Sequence, residues 1–282
     1  MNGNSFTWPS KWFILVAGSL LIAGSALAAE TKLTVDEVVA KHLESIGTPE
    51  ARAAVKSRVA QGTVSFNERI SGLVHLEGSA LLLSQGTKLK CAFQIKNPQY
   101  PGEQLVFDGK NVQVALINQG ARSALGNFLV NEPEVLQEGL LGGTLSMGWP
   151  LLDVKASGAK LKSEGLKKID GRELYDLTYI PKKRGSMGEL AIHLYFEPET
   201  FRHVMTVYRL TTTSIDGSGG DAQASDAGER TTTVTELFSD FKPVDGVTLP
   251  SSWDIGLRVE PSAKPQEFQW KIAFTSIAHT KL

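Results

Sequence analysis

The chain has 282 residues, with 29 lysines and arginines against 30 aspartates and glutamates, a formal net charge of −1 and a pI near 6.5. That balance excludes a nucleic-acid binder, whose affinity rests on a basic face that neutralises phosphates. Hydrophobic residues at 41% and charged residues at 21% exclude a disordered chain and supply apolar surface for a sizeable core.

Residues 1–29 read as a cleavable export signal. Lys11 gives a short positive region, residues 12–23 are a nearly unbroken apolar run, and Ala26-Leu27-Ala28 supplies the small-x-small pattern a signal peptidase needs. The run is shorter than the roughly 20 apolar residues that cross a bilayer as a helix. Cleavage is expected after Ala28 or Ala29, with no cysteine next to either cut to carry a lipid. The mature chain, residues 30–282, is expected to be a single periplasmic domain; the alternative is an uncleaved signal anchor. One cysteine, Cys91, allows no internal disulfide, so stability must come from packing. Cys91 is in phase with Leu89, Phe93 and Ile95 and reads as a small buried hydrophobe.

Thr34 and Glu37 form a capping box, followed by Val35, Val38, Val39, Leu43 and Ile46 at helical spacing and a stop at Gly47. A second short helix is expected from Pro49 to Ala54. From about residue 58 the apolar period becomes two. It runs through Val64 and Phe66; Val74, Leu76, Ala80 and Leu82; Leu89 to Ile95; then Leu105 and Phe107, a turn at Asp108-Gly109, and Val112, Val114 and Leu116. Residues 121–153 break the rhythm with leucines, Phe128, Met147 and Trp149 among glycines, and predict short helices lying over something hydrophobic. Strand rhythm then returns over 161–168, 173–180, 190–196, 204–210, 231–241, 253–257 and 268–274. Residues 214–230 contain Gly, Ser, Asp and Ala but no large apolar side chain, and are expected to form a mobile loop. The lysines at 160, 162, 167 and 168, and the run at 182–184, lie among turn residues and read as solvated edges.

No catalytic motif, metal set or cofactor fingerprint emerges. Arg184-Gly185-Ser186-Met187-Gly188 and Thr144-Leu145-Ser146-Met147-Gly148 each miss the nucleophile elbow at its first glycine. The histidines at 42, 75, 193, 203 and 279 show no ligand spacing; His193 and His203 could meet across a hairpin, but strand-surface roles suit them better. The acidic stretch 216–221 fails as a calcium loop, with Asp221 where glycine belongs and Ala227 where the bidentate glutamate belongs.

The expected architecture is mainly β: a strongly curved antiparallel sheet or incomplete barrel of about eleven strands, covered by an N-terminal helix and a central helical lid within 121–153. Its inward apolar set includes Phe93, Ile95, Phe107, Phe128, Trp149, Leu194, Phe196, Trp253, Trp270 and Phe274, candidates for lining a ligand cavity. Three stretches then carry a resemblance: IDGRELYDL at 169–177, LYFEPETFR at 194–202 and FSDFKPVDGVTLP at 238–250, behind the capped helix at 34–47. With these the chain resembles the LolA/LolB-like periplasmic carriers of outer-membrane lipoproteins. The resemblance implies a hydrophobic cavity that shields lipid or lipoprotein acyl chains, a non-enzymatic monomer, and exchange with inner-membrane donor and outer-membrane acceptor proteins. The function so implied is a periplasmic carrier or sensor. Two alternatives stay open: an envelope scaffold whose barrel interior is filled, and an exported hydrolase whose site assembles only in three dimensions.

Overall fold

A computed structural model of the chain describes residues 33–69, 73–117, 120–182, 188–213, 229–260 and 266–281. The expected signal segment, residues 214–228 of the expected loop and Ser186 therefore lie outside the described residues, while Glu229 and Arg230, also expected in that loop, are strand residues. Helix α1 (Val35–Ile46) starts as its sequence requires: Thr34 Oγ1 accepts from Glu37 N, and Glu37 Oε2 accepts from Thr34 N at 2.8 Å. Helix α2 (Pro49–Ala54) follows a Thr48 cap, with proline at a position that has no N–H to lose.

The strands of the described residues form one antiparallel sheet of twelve, not closed into a barrel. The strands are β1 (Val55–Arg69), β2 (Leu73–Gln85), β3 (Lys88–Ile95), β4 (Gly102–Phe107), β5 (Val112–Val114), β6 (Lys160–Ile169), β7 (Arg172–Ile180), β8 (Glu189–Phe196), β9 (His203–Thr213), β10 (Glu229–Val244), β11 (Val247–Glu260) and β12 (Gln266–Lys281). This agrees with the expected sheet of about eleven strands, and the expected hairpin after Asp108-Gly109 forms, with β5 pairing β4 through Val114 and Leu105. Leu116, expected to extend it, lies past the last pairing and is 50% exposed. Two-residue turns fix the register at two of the Asp-Gly pairs, whereas Asp108-Gly109 opens a four-residue connection between Phe107 and Val112. Asp170 and Gly171 have φ of 48° and 82°, and Asp245 and Gly246 have 54° and 89°, the left-handed pair that lets two twisted strands reverse.

Spatial order is β5-β4-β3-β2-β1-β12-β11-β10-β9-β8-β7-β6. Neighbours follow one another along the chain except where β1 meets β12. Strands β5 and β6 are thus the two free edges, and the chain between them carries the helical residues. These are α3 (Ala124–Asn131), α4 (Glu134–Gln137), 3₁₀ turns at Gly143–Leu145 and Pro150–Asp153, and α5 (Val154–Ser157). Residues 121–153 are helical in short pieces, as their composition predicts. Their Leu125, Phe128, Leu129, Leu136, Leu140, Leu141, Leu145 and Trp149 share one buried cluster with the apolar phase of the strands.

Glycine conformation sets the path of this cover. Gly139 sits at φ 73°, and a Cβ there would lie 2.0 Å from the carbonyl oxygen of Gly148, so two stretches of the cover touch backbone to backbone. Gly139→Ala combines a left-handed strain with a main-chain clash and is expected to cost more than about 2 kcal/mol. A lowered urea midpoint at unchanged slope would show it; an unchanged midpoint would mean the cover's path is not fixed at this contact.

Candidate functional site

All ten sequence-predicted lining residues fall in one contiguous apolar cluster, each at most 6% exposed. Phe93, Ile95 and Phe107 come from β3 and β4, Leu194 and Phe196 from β8, and Trp253, Trp270 and Phe274 from β11 and β12. Phe128 and Trp149 come from the cover. They meet as a packed interior: Phe93 lies edge-on to Trp253 at 6.0 Å and Phe128 to Tyr208 at 6.2 Å. Among them, Trp270 also lines a pocket of about 290 Å³ at the mouth of the sheet. Its apolar floor is Phe66, Leu76, Phe268 and Trp270, and the start of α3 with Ser123 and Ala124 forms its far wall. Phe107 also reaches a shallower groove of about 320 Å³ beside Lys88 and Lys90.

Polar groups set within the apolar phase hold the cover in place. Glu236 on β10 is fully buried between Val234 and Phe238. It accepts from Gly142 N at 2.7 Å and Trp253 Nε1 at 2.9 Å through one oxygen, and from Tyr208 OH at 2.7 Å through the other. Burial pushes its carboxyl up to about 7, against the three donors that stabilise the anion. Glu103 on β4 makes a second junction, accepting from Tyr100 OH at 2.7 Å and from Ser123, the cap of α3, at 2.8 Å. Trp270 Nε1 donates to the same Tyr100 oxygen at 2.6 Å, while the Tyr100 ring stacks on Phe66 with centroids 4.1 Å apart. Burial raises Glu103 to about 7 as well.

Arg58 on β1 makes the third. Nη1 donates to the carbonyls of Thr144 at 2.5 Å and Leu145 at 2.9 Å, and Nε donates to His279 Nε2 at 3.0 Å. Burial lowers the guanidinium to about 10, so it still carries its charge at neutral pH. Ser84 on β2 accepts from Met147 N at 2.8 Å. His42 on α1 accepts from Trp149 Nε1 at 3.1 Å through Nε2, which leaves Nδ1–H to donate to Phe201 O at 3.0 Å. Burial drives His42 down to about 4 and His203 well below its ordinary value, so both are neutral.

The histidine expectation needs correction. His203 stacks on Trp149 at 4.6 Å and is buried, whereas His193 pairs with Asp176 at 2.9 Å on the other face of the sheet. The β8–β9 register puts His193 opposite Val207 and His203 opposite Phe196, so the two never meet. Cys91 is buried as its phase predicts, with the thiol pushed up by burial. Among the described residues, no cluster of three or more His, Cys, Asp or Glu side chains could hold a metal ion, and no helix is long and apolar enough to cross a membrane. The clamping residues escaped a search for catalytic motifs. Their signal was a charged or polar residue in the apolar phase: Glu236 between Val234 and Phe238, Glu103 before Leu105 and Phe107, and His42 on the stripe of Val38 and Ile46.

No family model matches the chain, and no curated protein does. Among solved structures it is similar to LolA superfamily protein NE2245 from Nitrosomonas europaea, at 12% identity and a TM-score of 0.45 over 89% of this chain and 95% of that one. An outer membrane lipoprotein-sorting protein domain from Vibrio parahaemolyticus is similar at 11% identity and a TM-score of 0.41, over 86% of this chain and 93% of that one. A DUF1329 family protein from Desulfovibrio piger follows at 10% identity and 0.39, over 87% and 93%.

The raised carboxyls give the cover a titration signature. Between an unfolded value of 4.5 and a folded value of about 7, the folded chain holds the Glu236 proton more tightly than the unfolded chain does. This contribution is therefore full below 4.5 and is lost as pH rises through about 7. Glu236→Gln keeps an oxygen for Gly142 and Trp253 and a donor for Tyr208, but cannot ionise. Relative to the parent, the variant should gain stability between about pH 5 and about pH 8, a comparison in which the buried histidines cancel. Urea midpoints of the two proteins at both pH values test this; a constant difference would show that Glu236 does not titrate in that window.

Proposed function

We propose that this protein is an exported, non-catalytic carrier or sensor that binds acyl chains of lipids or lipoproteins under its helical cover. The single observation that carries the reading is the mouth pocket, where the apolar inner phase of β1, β2 and β12 reaches solvent between the sheet and the start of α3. Exposed Val74 and half-buried Leu76 and Phe268 are the apolar lining that reaches solvent, and they lie over Phe66 and Trp270 of the continuous core. An acyl chain placed there extends an existing apolar surface and gains about 0.8 kcal/mol per buried methylene. Beyond the pocket the interior is filled by the cover, so a longer chain must displace cover side chains. The clamps suit that exchange, since each joins the cover to a separate strand or helix. The sequence resemblance points to lipoprotein or lipid acyl chains as cargo and to a periplasmic monomer that exchanges with membrane donor and acceptor proteins. A mature N-terminus at Ala29 or Glu30, read by N-terminal sequencing of protein from the native envelope, is expected; an intact Met1 in the membrane fraction would reverse the localisation.

The packed interior itself favours a second reading, an envelope scaffold whose sheet is closed by a permanent core. Ala124→Phe separates the two, because it fills the pocket from the cover side at a half-buried position, with circular dichroism and the urea midpoint checking that the core is kept. The carrier reading expects a fluorescent fatty acid to bind the parent protein and to lose at least about tenfold in affinity in the variant. Unchanged binding would place the ligand elsewhere. A parent that binds no acyl probe, with circular dichroism showing a folded protein, would leave the scaffold.

A further inference from the structure

Two opposite charges face the mouth pocket without pairing. Glu68 occupies the inward phase of β1 two residues beyond Phe66, opposite Val74 on β2 and Phe268 on β12. Arg122 directly precedes Ser123, the cap of α3, and so belongs to the cover. Both line the pocket, Glu68 half-buried and Arg122 exposed. Neither makes a hydrogen bond or ion pair with another described side chain. The remaining polar wall is neutral, from Asn97, Gln99, Tyr100 and Ser123.

A carboxylate on the sheet and a guanidinium on the cover, over an aromatic floor, select by charge. A fatty acid would satisfy Arg122 and be repelled by Glu68; an alkylammonium would do the reverse. A neutral monoacylglycerol would use neither. A head group with an anion and an ammonium a few bonds apart satisfies both, and guanidinium is well matched to phosphate as that anion. The volume of about 290 Å³ is at the lower end for ligand pockets and suits one chain, not two or three. We infer that the mouth pocket takes a single-chain zwitterionic phospholipid, with its chain on Phe66 and Trp270, its phosphate at Arg122 and its ammonium at Glu68. This rests on the acyl-binding reading above and adds the class of ligand.

The test uses the full mature protein and displacement of a fluorescent fatty acid by four lipids of equal chain length: a lysophosphatidylethanolamine, a lysophosphatidylglycerol, the free fatty acid and a monoacylglycerol. The zwitterionic lipid should bind about fivefold more tightly than the anionic lysophospholipid, the scale of one exposed charge contact. Arg122→Gln should weaken both phosphate lipids by about fivefold, and Glu68→Gln should abolish the preference between them without weakening the anionic one. Equal affinity for all four head groups in the parent would overturn the head-group assignment while leaving the pocket as an acyl site. Binding that keeps the zwitterionic preference in both variants would place the head group elsewhere and overturn the assignment too. If none of the four displaces the probe, the acyl-binding reading fails, and this proposal with it.

Discussion

The fold depends on the connection between the two free edges of the sheet. The strand order makes β5 and β6 the outermost strands, on opposite margins, while successive hairpins supply the other links. The chain must therefore travel from one margin to the other between residues 114 and 160. The inner face is the apolar phase of the strands and would be costly to leave wet, so a crossing on that side is stabilised by every leucine it buries. The same crossing explains why residues 121–153 hold so many buried leucines in such short helices. They are a core contribution delivered by a connection, and no long helix follows the required path. The pairing of β1 with β12 completes the sheet by joining its first strand to its last.

A connection laid across an apolar face brings its own backbone polar groups with it, and these need partners. The sheet supplies them from side chains placed in the inward phase. Glu236 takes the Gly142 N–H, Ser84 takes the Met147 N–H, and Arg58 takes the carbonyls of Thr144 and Leu145. Each would be an expensive buried group if the cover were absent and the site stayed dry. Their presence in an otherwise apolar phase thus makes sense only with the cover in place. Glu236 shows the balance: burial disfavours its charge, and three donors favour it. Tyr100 joins the other end, where one phenol stacks on Phe66, donates to Glu103 and accepts from Trp270.

Much of the fold was legible in the sequence because alternation and turn chemistry are local. The capping box, the Asp-Gly turns and the apolar phase of each strand placed the elements and the inward residues. The strand after Asp108-Gly109 was legible, but the alternation carries its end too far, to Leu116, because three residues hardly establish a period. The candidate site was less legible for a physical reason. Phase says that Phe196 and Trp270 point inward, but not whether their neighbours leave room, and here the cover fills most of that room. Only Trp270 among the ten lies at a pocket of the mouth, with Phe66 and Tyr100 beside it. The polar clamps depended on long-range partners: Arg58 with Thr144, Glu236 with Gly142, His42 with Trp149. The charged residue inside an apolar alternation was the available clue, though it does not name its partner.

Whether such a cover can move is a question of exchange, not of flexibility alone. Withdrawing one buried leucine from the inner face costs about 1.5–3 kcal/mol in apolar burial. A chain of about sixteen carbons that took its place would recover up to about 13 kcal/mol at 0.8 kcal/mol per methylene, on the order of five or six leucines. Opening to water with no ligand would forfeit the same burial with nothing in return. The polar clamps tilt the comparison less, because the cover's backbone groups can turn to water when they leave, whereas Glu236 and Arg58 stay behind on the sheet. Those two residues would then need either water or a ligand's polar group, which makes a ligand that is apolar throughout a poor replacement near them. The energetics favour partial displacement at the α3 end, where Ser123 and Tyr100 border the pocket, over lifting of the whole cover. The deep aromatic cluster of His42, Trp149, Phe196 and His203 would keep its packing in that event.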